Sequence, residues 1–364
     1  MTPFPRADLP TPALVIDRPA LERNIAAMAR FAEARGLALR PHAKTHKSAG
    51  IARRQIAAGA VGICCAKLGE AEALAAGGAD DILVTSPVVA QGAVERLARL
   101  NERVGRLAAV IDHPDNADRI AAATTEPIEV LVDVDPGPHR TGVASPETAV
   151  ALARRIGGRP TLRYRGVQFY CGALQHVASF AERRAAIAER TAYLRQVIAA
   201  LSAAGFAPDV VTGGGTGSFA IDAELGALTE IQPGSYVFMD REYGDCERGG
   251  APRFEPALFI DARVVSANHP GRVTIDAGLK AMATEAGPPR VLAGAHPDTR
   301  YVFMGDEHGM LLTPEGAGDP GLDALVTLQP PHCDPTVNLY DRYAVCEGEE
   351  VVGFWPVDAR GRSS

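Results

Sequence analysis

No apolar run in the chain approaches the roughly 20 residues that a membrane span needs. The first ten residues, MTPFPRADLP, lack the basic start and apolar core of a secretory signal, so a cytoplasmic protein is expected. Lys/Arg blocks longer than a pair are also missing, and the net charge is −7; both argue against nucleic acid or an anionic membrane as the main partner. The six cysteines (Cys64, Cys65, Cys171, Cys246, Cys333 and Cys346) form no C-x-x-C pair and no zinc-like spacing. In a chain of this size they read as reduced core thiols, not a disulfide framework. Low-complexity linkers are absent as well. Small molecules are the partners left.

What is present is enough apolar residue, 46% of 364, for a large domain and a smaller one. From about residue 19 to 235, short β-branched runs alternate with Ala-rich amphipathic stretches, the pattern of βα units around a parallel sheet. Eight runs stand out: 37–40, 61–65, 82–85, 107–111, 128–133, 166–170, 210–212 and 230–232. Eight units predict an α/β fold of the (β/α)8 barrel type, assigned here to residues 19–245. Asp17 before Pro19, and Ser145 before Pro146 and Glu147, read as helix starts. Beyond about residue 245 the helical period gives way to alternating strands, as in ALFIDARVVSA and YAVCEGEEVVGFWP. A β domain is expected over 246–364. The run Ala13–Asp17 fits either domain, so residues 1–18 are left with either.

Five segments carry chemistry. In PHAKTHK, Lys44 follows a strand run at the barrel mouth, where a Schiff base to an aldehyde cofactor would sit. In Thr212-Gly213-Gly214-Gly215-Thr216-Gly217-Ser218, also after a strand, backbone N–H groups can converge on an anion and the hydroxyls can add donors. The loop matches neither the Walker lysine pattern nor a dinucleotide fingerprint. Arg140 in DVDPGPHRTG, and Tyr170 and His176 in VQFYCGALQH, follow strands on the same face; the arginine could meet a ring nitrogen or a carboxylate, the tyrosine could stack on a ring and the histidine could reach substrate. In PHCDPT, an extended backbone would send His332 and Asp334 to one face and Cys333 to the other, making a two-residue metal site.

Together these segments resemble the D-threonine aldolase and D-serine dehydratase family, pyridoxal-phosphate enzymes with an alanine-racemase-like barrel. The likeness runs through RPHAKTHK, GICCAKLGEAE, VDVDPGPHRTGV, GGGTGS, EIQPGSYVFMD, DAGLK, DEHG and HCDPT to the final ARG. The resemblance implies pyridoxal 5′-phosphate on Lys44, with Arg140 facing the pyridine nitrogen. It further implies that Gly213 to Gly215, Thr216 and Tyr236 hold the phosphate and that His332 and Asp334 bind a divalent metal. Aldolases of the family are expected to show His-x-Asp at the metal, dehydratases His-x-Cys. An imidazole with a carboxylate suits Mn²⁺ or Mg²⁺, with Co²⁺ or Zn²⁺ as other candidates.

The implied reaction is retro-aldol cleavage of a D-3-hydroxy amino acid to glycine and an aldehyde, with His176 or a metal-bound water as base. Because cofactor and metal are assigned to different loops, stripping the metal should leave the cofactor's absorbance largely intact. A 3-hydroxy-D-aspartate aldolase, a D-serine or D-3-hydroxyaspartate dehydratase, and a non-catalytic cofactor carrier are the rival readings. A homodimer is implied by the resemblance alone.

Overall fold

Residues 2–364 are described by the computed structural model, and their backbone forms two sheets. Short strands β1 (Phe4–Pro5) and β2 (Ala13–Asp17) precede the parallel set β3 (Ala38–Leu39), β4 (Ile63–Cys65), β5 (Asp81–Val84), β6 (Arg106–Ile111), β7 (Ile128–Asp133), β8 (Leu162–Phe169), β9 (Val210–Gly213) and β10 (Glu230–Ile231). All eight runs expected to form the barrel are among these strands, paired in the order β3-β10-β9-β8-β7-β6-β5-β4. The Val61 amide donates to the Leu39 carbonyl at 2.9 Å and the Ala43 amide to the Cys64 carbonyl at 2.8 Å, so β4 returns to β3 and the barrel closes.

Helices lie between successive strands, and their starts follow the caps in the sequence. Asp17 accepts the Ala20 amide at 2.9 Å to open the helix Arg18–Ala34. Ser145 accepts the Thr148 amide at 3.2 Å to open Pro146–Gly157. Each satisfies an amide the helix itself cannot. Among the described residues no helix is long and apolar enough to cross a membrane.

Alternation along the strands fills the barrel in three layers. At the amino-terminal end a charged floor gathers Arg40, Asp81, Arg106, Glu129, Arg165 and Glu230. Above it, Cys64, Leu83, Val110 and Leu131 make a small apolar plug. The carboxy-terminal mouth is polar, with His42, Thr85, Asp112, Gln168 and Gln232 on its wall. Residues of opposite parity, such as Ile63, Ile82 and Val130, turn outward into the main core beneath the helices.

The second sheet comprises β1, β2, β11 (Leu258–His269), β12 (Arg272–Ile275), β13 (Arg290–Ala293), β14 (Arg300–Phe303), β15 (Gly309–Leu312), β16 (Leu325–Gln329), β17 (Arg342–Glu347) and β18 (Glu350–Pro356). β2 lies inside it, antiparallel to β11 and parallel to β17. The strand that sequence left with either domain therefore belongs to this sheet, and Asp17 at its end caps the first barrel helix. The segment from Cys333 to Val337 is a helical turn, not an extended strand.

Candidate active site

The PHAKTHK segment crosses from β3 to the next helix, and its side chains part company. His46 and Lys47 are buried. His46 Nε2 is 3.1 Å from Gln55 Oε1, and Lys47 Nζ pairs with Glu70 Oε1 at 2.5 Å. His42 lies at the barrel mouth with Nε2 3.0 Å from Thr85 Oγ1. Burial, reinforced by the Lys44 charge, pushes the His42 imidazole down to about 3, leaving it neutral. Only Lys44 of the two lysines reaches the open side, with 38% of its side chain exposed. It borders a cavity of about 580 Å³ whose wall also carries Arg140, Tyr170, Lys67, Thr141 and the mouth residues named above.

The glycine loop packs behind Tyr170. Gly214 has φ of 69°, a left-handed conformation natural to glycine, and a Cβ there would lie 2.5 Å from Asp222 Oδ2. A Cβ on Gly217 would overlap the Gln175 carbonyl. Ser218 Oγ accepts the Gly215 amide at 3.0 Å and donates to Asp222 at 2.7 Å. Burial pushes the Asp222 carboxyl up to about 7, against the Ser218 hydrogen bond. Thr216 Oγ1 accepts the Tyr236 amide at 3.0 Å. The phenol of Tyr236 points elsewhere, fully buried, and accepts the Gln55 amide at 3.0 Å. Tyr236 thus meets the loop through its backbone. Arg140 stands with its guanidinium 5.7 Å from the centre of the Tyr170 ring, while Thr212 is buried beneath the loop and donates to Glu230 at 2.8 Å.

Asp334 comes to Lys44 from the second sheet's side. Its Oδ2 is 2.7 Å from Lys44 Nζ. Burial raises the Asp334 carboxyl, yet the Lys44 ammonium holds it well below the usual carboxylate range. In return the carboxylate holds Lys44 above the ordinary lysine value. The contact is an ion pair, and the Lys44 ammonium is the group that meets Oδ2. Lys44 and Asp334, on separate segments of the chain, are therefore direct neighbours.

His332 precedes the helical turn in extended conformation, at φ −141° and ψ 125°. Asp334 lies in that turn's first residues, so the alternation expected of an extended strand does not apply. Cys333 is fully buried and burial pushes its thiol up; its amide donates to Asp240 at 2.9 Å. The thiol is thus turned into the core.

His176 lies against Tyr243 with ring centres 4.2 Å apart, within range of the charges of Lys44, His332 and Asp334. Its Nδ1 is 3.6 Å from Glu242 Oε1, and its Nε2 is buried without a partner. Burial lowers the imidazole's pKa, with the Glu242 charge working the other way.

The mouth residues His42, Thr85, Gln168 and Gln232 were missed in the sequence, although strand parity and position at the strand ends could have found them. Glu242 and Asp240 left only a weak signal, an acidic pair after GSYVFM. Glu285, whose Oε1 is 2.7 Å from His332 Nδ1, left none.

The residues present suit pyridoxal phosphate: a lysine on the wall of a roomy cavity, an aromatic ring beside it, and a glycine cradle closed to any Cβ. A divalent ion is suited by the donor set of the Asp334 carboxylate, whose Oδ2 meets only the Lys44 ammonium, and the neighbouring His332. Among the described residues no group of three or more His, Cys, Asp or Glu could hold a metal, so such an ion would take its remaining ligands from water or substrate.

Comparison with known proteins accords with this geometry. Residues 16–242 match the alanine racemase N-terminal domain, and residues 257–346 match a putative serine dehydratase domain. A D-threonine aldolase from Arthrobacter sp. is 40% identical over 99% of this chain and 95% of its own length. A 3-hydroxy-D-aspartate aldolase from Paracoccus denitrificans is 39% identical over 98% of this chain and 93% of its own. The crystal structure of D-threonine aldolase from Filomicrobium marinum superposes with a TM-score of 0.95 at 39% identity, covering 99% of this chain and 97% of that one. The chain belongs to the D-threonine aldolase and D-serine dehydratase family, with its alanine-racemase-like fold.

Proposed function

We propose that this protein is a pyridoxal-phosphate and divalent-metal-dependent aldolase that cleaves D-3-hydroxy amino acids to glycine and an aldehyde. The observation that carries the reading is the 2.7 Å pairing of Lys44 with Asp334, which puts the residue for an aldehyde cofactor beside the residue for a metal. A substrate amine bound where Lys44 acts would then bring its β-hydroxyl toward Asp334 and His332.

Lys44 would hold the cofactor covalently, and the 213–218 loop its phosphate. Bound there, pyridoxal phosphate would take up the electron pair released at Cα, and a divalent ion on His332 and Asp334 would make the β-hydroxyl more acidic. His176 is the base. Burial keeps its imidazole neutral near pH 7, so Nε2 can accept the hydroxyl proton. The C–O bond becomes a carbonyl as the Cα–Cβ bond breaks, and a proton delivered to Cα completes glycine. Glu242, beside Nδ1, steadies the imidazole as it becomes charged.

The core-facing thiol of Cys333 favours the aldolase over the dehydratase reading, because the Asp334 carboxylate, not the thiol, meets the lysine. Between aldolase substrates, the near-equal identities of the two aldolase relatives keep 3-hydroxy-D-aspartate as a second reading, and Lys67 on the cavity wall is a cation available to a second carboxylate. The proposal includes a homodimer, whose mass light scattering would read directly, and a division at about residue 245 between barrel and β domain.

The test is product analysis after incubation with D-threonine and, separately, D-threo-3-hydroxyaspartate, each with Mn²⁺ and with chelator. Glycine plus aldehyde, lost on chelation and lost in Asp334→Ala, is expected. A 2-oxo acid with ammonia would overturn the aldolase reading, and full activity under chelation would remove the metal from it.

A further inference from the structure

Glu285 is joined to the proposed metal site by one contact: its Oε1 lies 2.7 Å from His332 Nδ1. With 56% of its side chain exposed, such a pair would ordinarily be a surface ion pair of little consequence. Its surroundings set it apart. The loop that carries it is tied down on both sides of Glu285 by bonds from other elements. Tyr340 Oη donates to the Ala281 carbonyl at 2.7 Å, the Ala283 amide donates to Thr336 Oγ1 at 3.0 Å, and the Arg241 guanidinium donates to the Ala286 carbonyl.

Thr336 completes the link. Fully buried, it also donates to the His332 carbonyl at 2.6 Å. One hydroxyl thus ties the backbone of His332 to the backbone two residues before Glu285, which fixes the carboxylate relative to the imidazole. Among the described residues Glu285 makes no other ion pair.

We propose that Glu285 is a positioning residue for the metal: its carboxylate accepts the Nδ1–H of His332, sets that tautomer, and leaves the Nε2 lone pair to ligate a divalent cation. The inference rests on the reading of His332 and Asp334 as the metal site. A histidine whose far nitrogen donates to a carboxylate is a fixed and more basic ligand, and removing such a partner costs on the order of 10–100-fold in metal affinity. With only two protein ligands in this site, the orientation of either one weighs heavily.

The experiment is a Mn²⁺ titration of the cofactor-loaded protein, read by the paramagnetic resonance signal of the free ion. It compares wild type, Glu285→Ala, Glu285→Gln and Asp334→Ala. Glu285→Ala is expected to weaken Mn²⁺ binding by about 10–100-fold, and Glu285→Gln to weaken it less, because the amide carbonyl still accepts the Nδ1–H. The cofactor absorbance should be unchanged in both Glu285 variants, which separates orientation of the ligand from damage to the fold. Nitrogen-15 shifts should place the proton on Nδ1 of His332 in the wild type. Unaltered Mn²⁺ affinity in Glu285→Ala would overturn this proposal alone. A wild type that binds no Mn²⁺, or binds it no better than Asp334→Ala, would overturn the metal reading and this proposal with it.

Discussion

Asp222→Asn should change how stability depends on pH, by an amount that the burial of one carboxyl sets. Asp222 is 9% exposed under the glycine loop, and burial carries it from the 3.8 of an unperturbed aspartate to about 7. Below pH 3.8 the group is protonated in both folded and unfolded chains and contributes nothing pH-dependent. Between about 4 and 7 the folded protein still holds a proton that the unfolded chain has released, so stability falls as pH rises. Above 7 both forms are ionised and the loss levels off. About three pKa units at 1.36 kcal/mol each make the total loss about 4 kcal/mol. Asparagine is neutral throughout and its carbonyl can still accept the Ser218 hydroxyl. The variant should therefore gain on the wild type by up to about 4 kcal/mol between pH 4 and pH 8. Urea unfolding of both proteins at five pH values, expressed as the difference between them, isolates this group from every other titration. A difference that stays flat across that range would refute the reasoning.

Three further outcomes are expected. Lys44→Ala should lack the near-visible absorbance of the bound cofactor while keeping the wild-type far-ultraviolet dichroism; persistence of the band would show that another residue carries it. Tyr236→Phe should leave cofactor affinity unchanged and lower stability by about 1 kcal/mol, because the phenol bonds to Gln55 in the core; a large drop in cofactor affinity would place the phenol at the phosphate. Arg40→Met, which leaves the buried Glu230 without its cation, should cost about 3–5 kcal/mol in urea unfolding.

The barrel was readable because each short β-branched run is followed by an amphipathic stretch, a signal that survives even where β3 has two residues. The N-caps at Asp17 and Ser145 were readable for a local reason, since acceptor and donor lie three residues apart. Lys44 and the glycine loop stood out through local chemistry at strand ends. Other features depend on contacts distant in sequence. His332-Cys333-Asp334 was read as a strand, but the Cys333 amide is claimed by Asp240 and the Thr336 hydroxyl by the His332 carbonyl, so the backbone winds into a helical turn. The meeting of Lys44 with Asp334 joins a barrel loop to a segment near the far end of the chain, and no spacing announces it. Tyr236 sits in a promising motif, yet its ring direction depends on Gln55 in a different helix.

The charged floor of the barrel has a bearing on the lysine at its other end. Arg40 leaves the seam strand β3, 6% exposed, to reach Glu230 of β10 at 3.0 Å and Asp81 of β5 at 2.6 Å. Strand side chains alternate, so a slip of β3 by one residue would turn Arg40 out among the apolar helices and draw Leu39 in among charges. The same slip would swing the segment that follows and carry Lys44 away from Asp334. A guanidinium that never meets substrate thereby acts as a key for strand alignment: it admits one register of a two-residue strand, and that register is the one that delivers the lysine to the mouth.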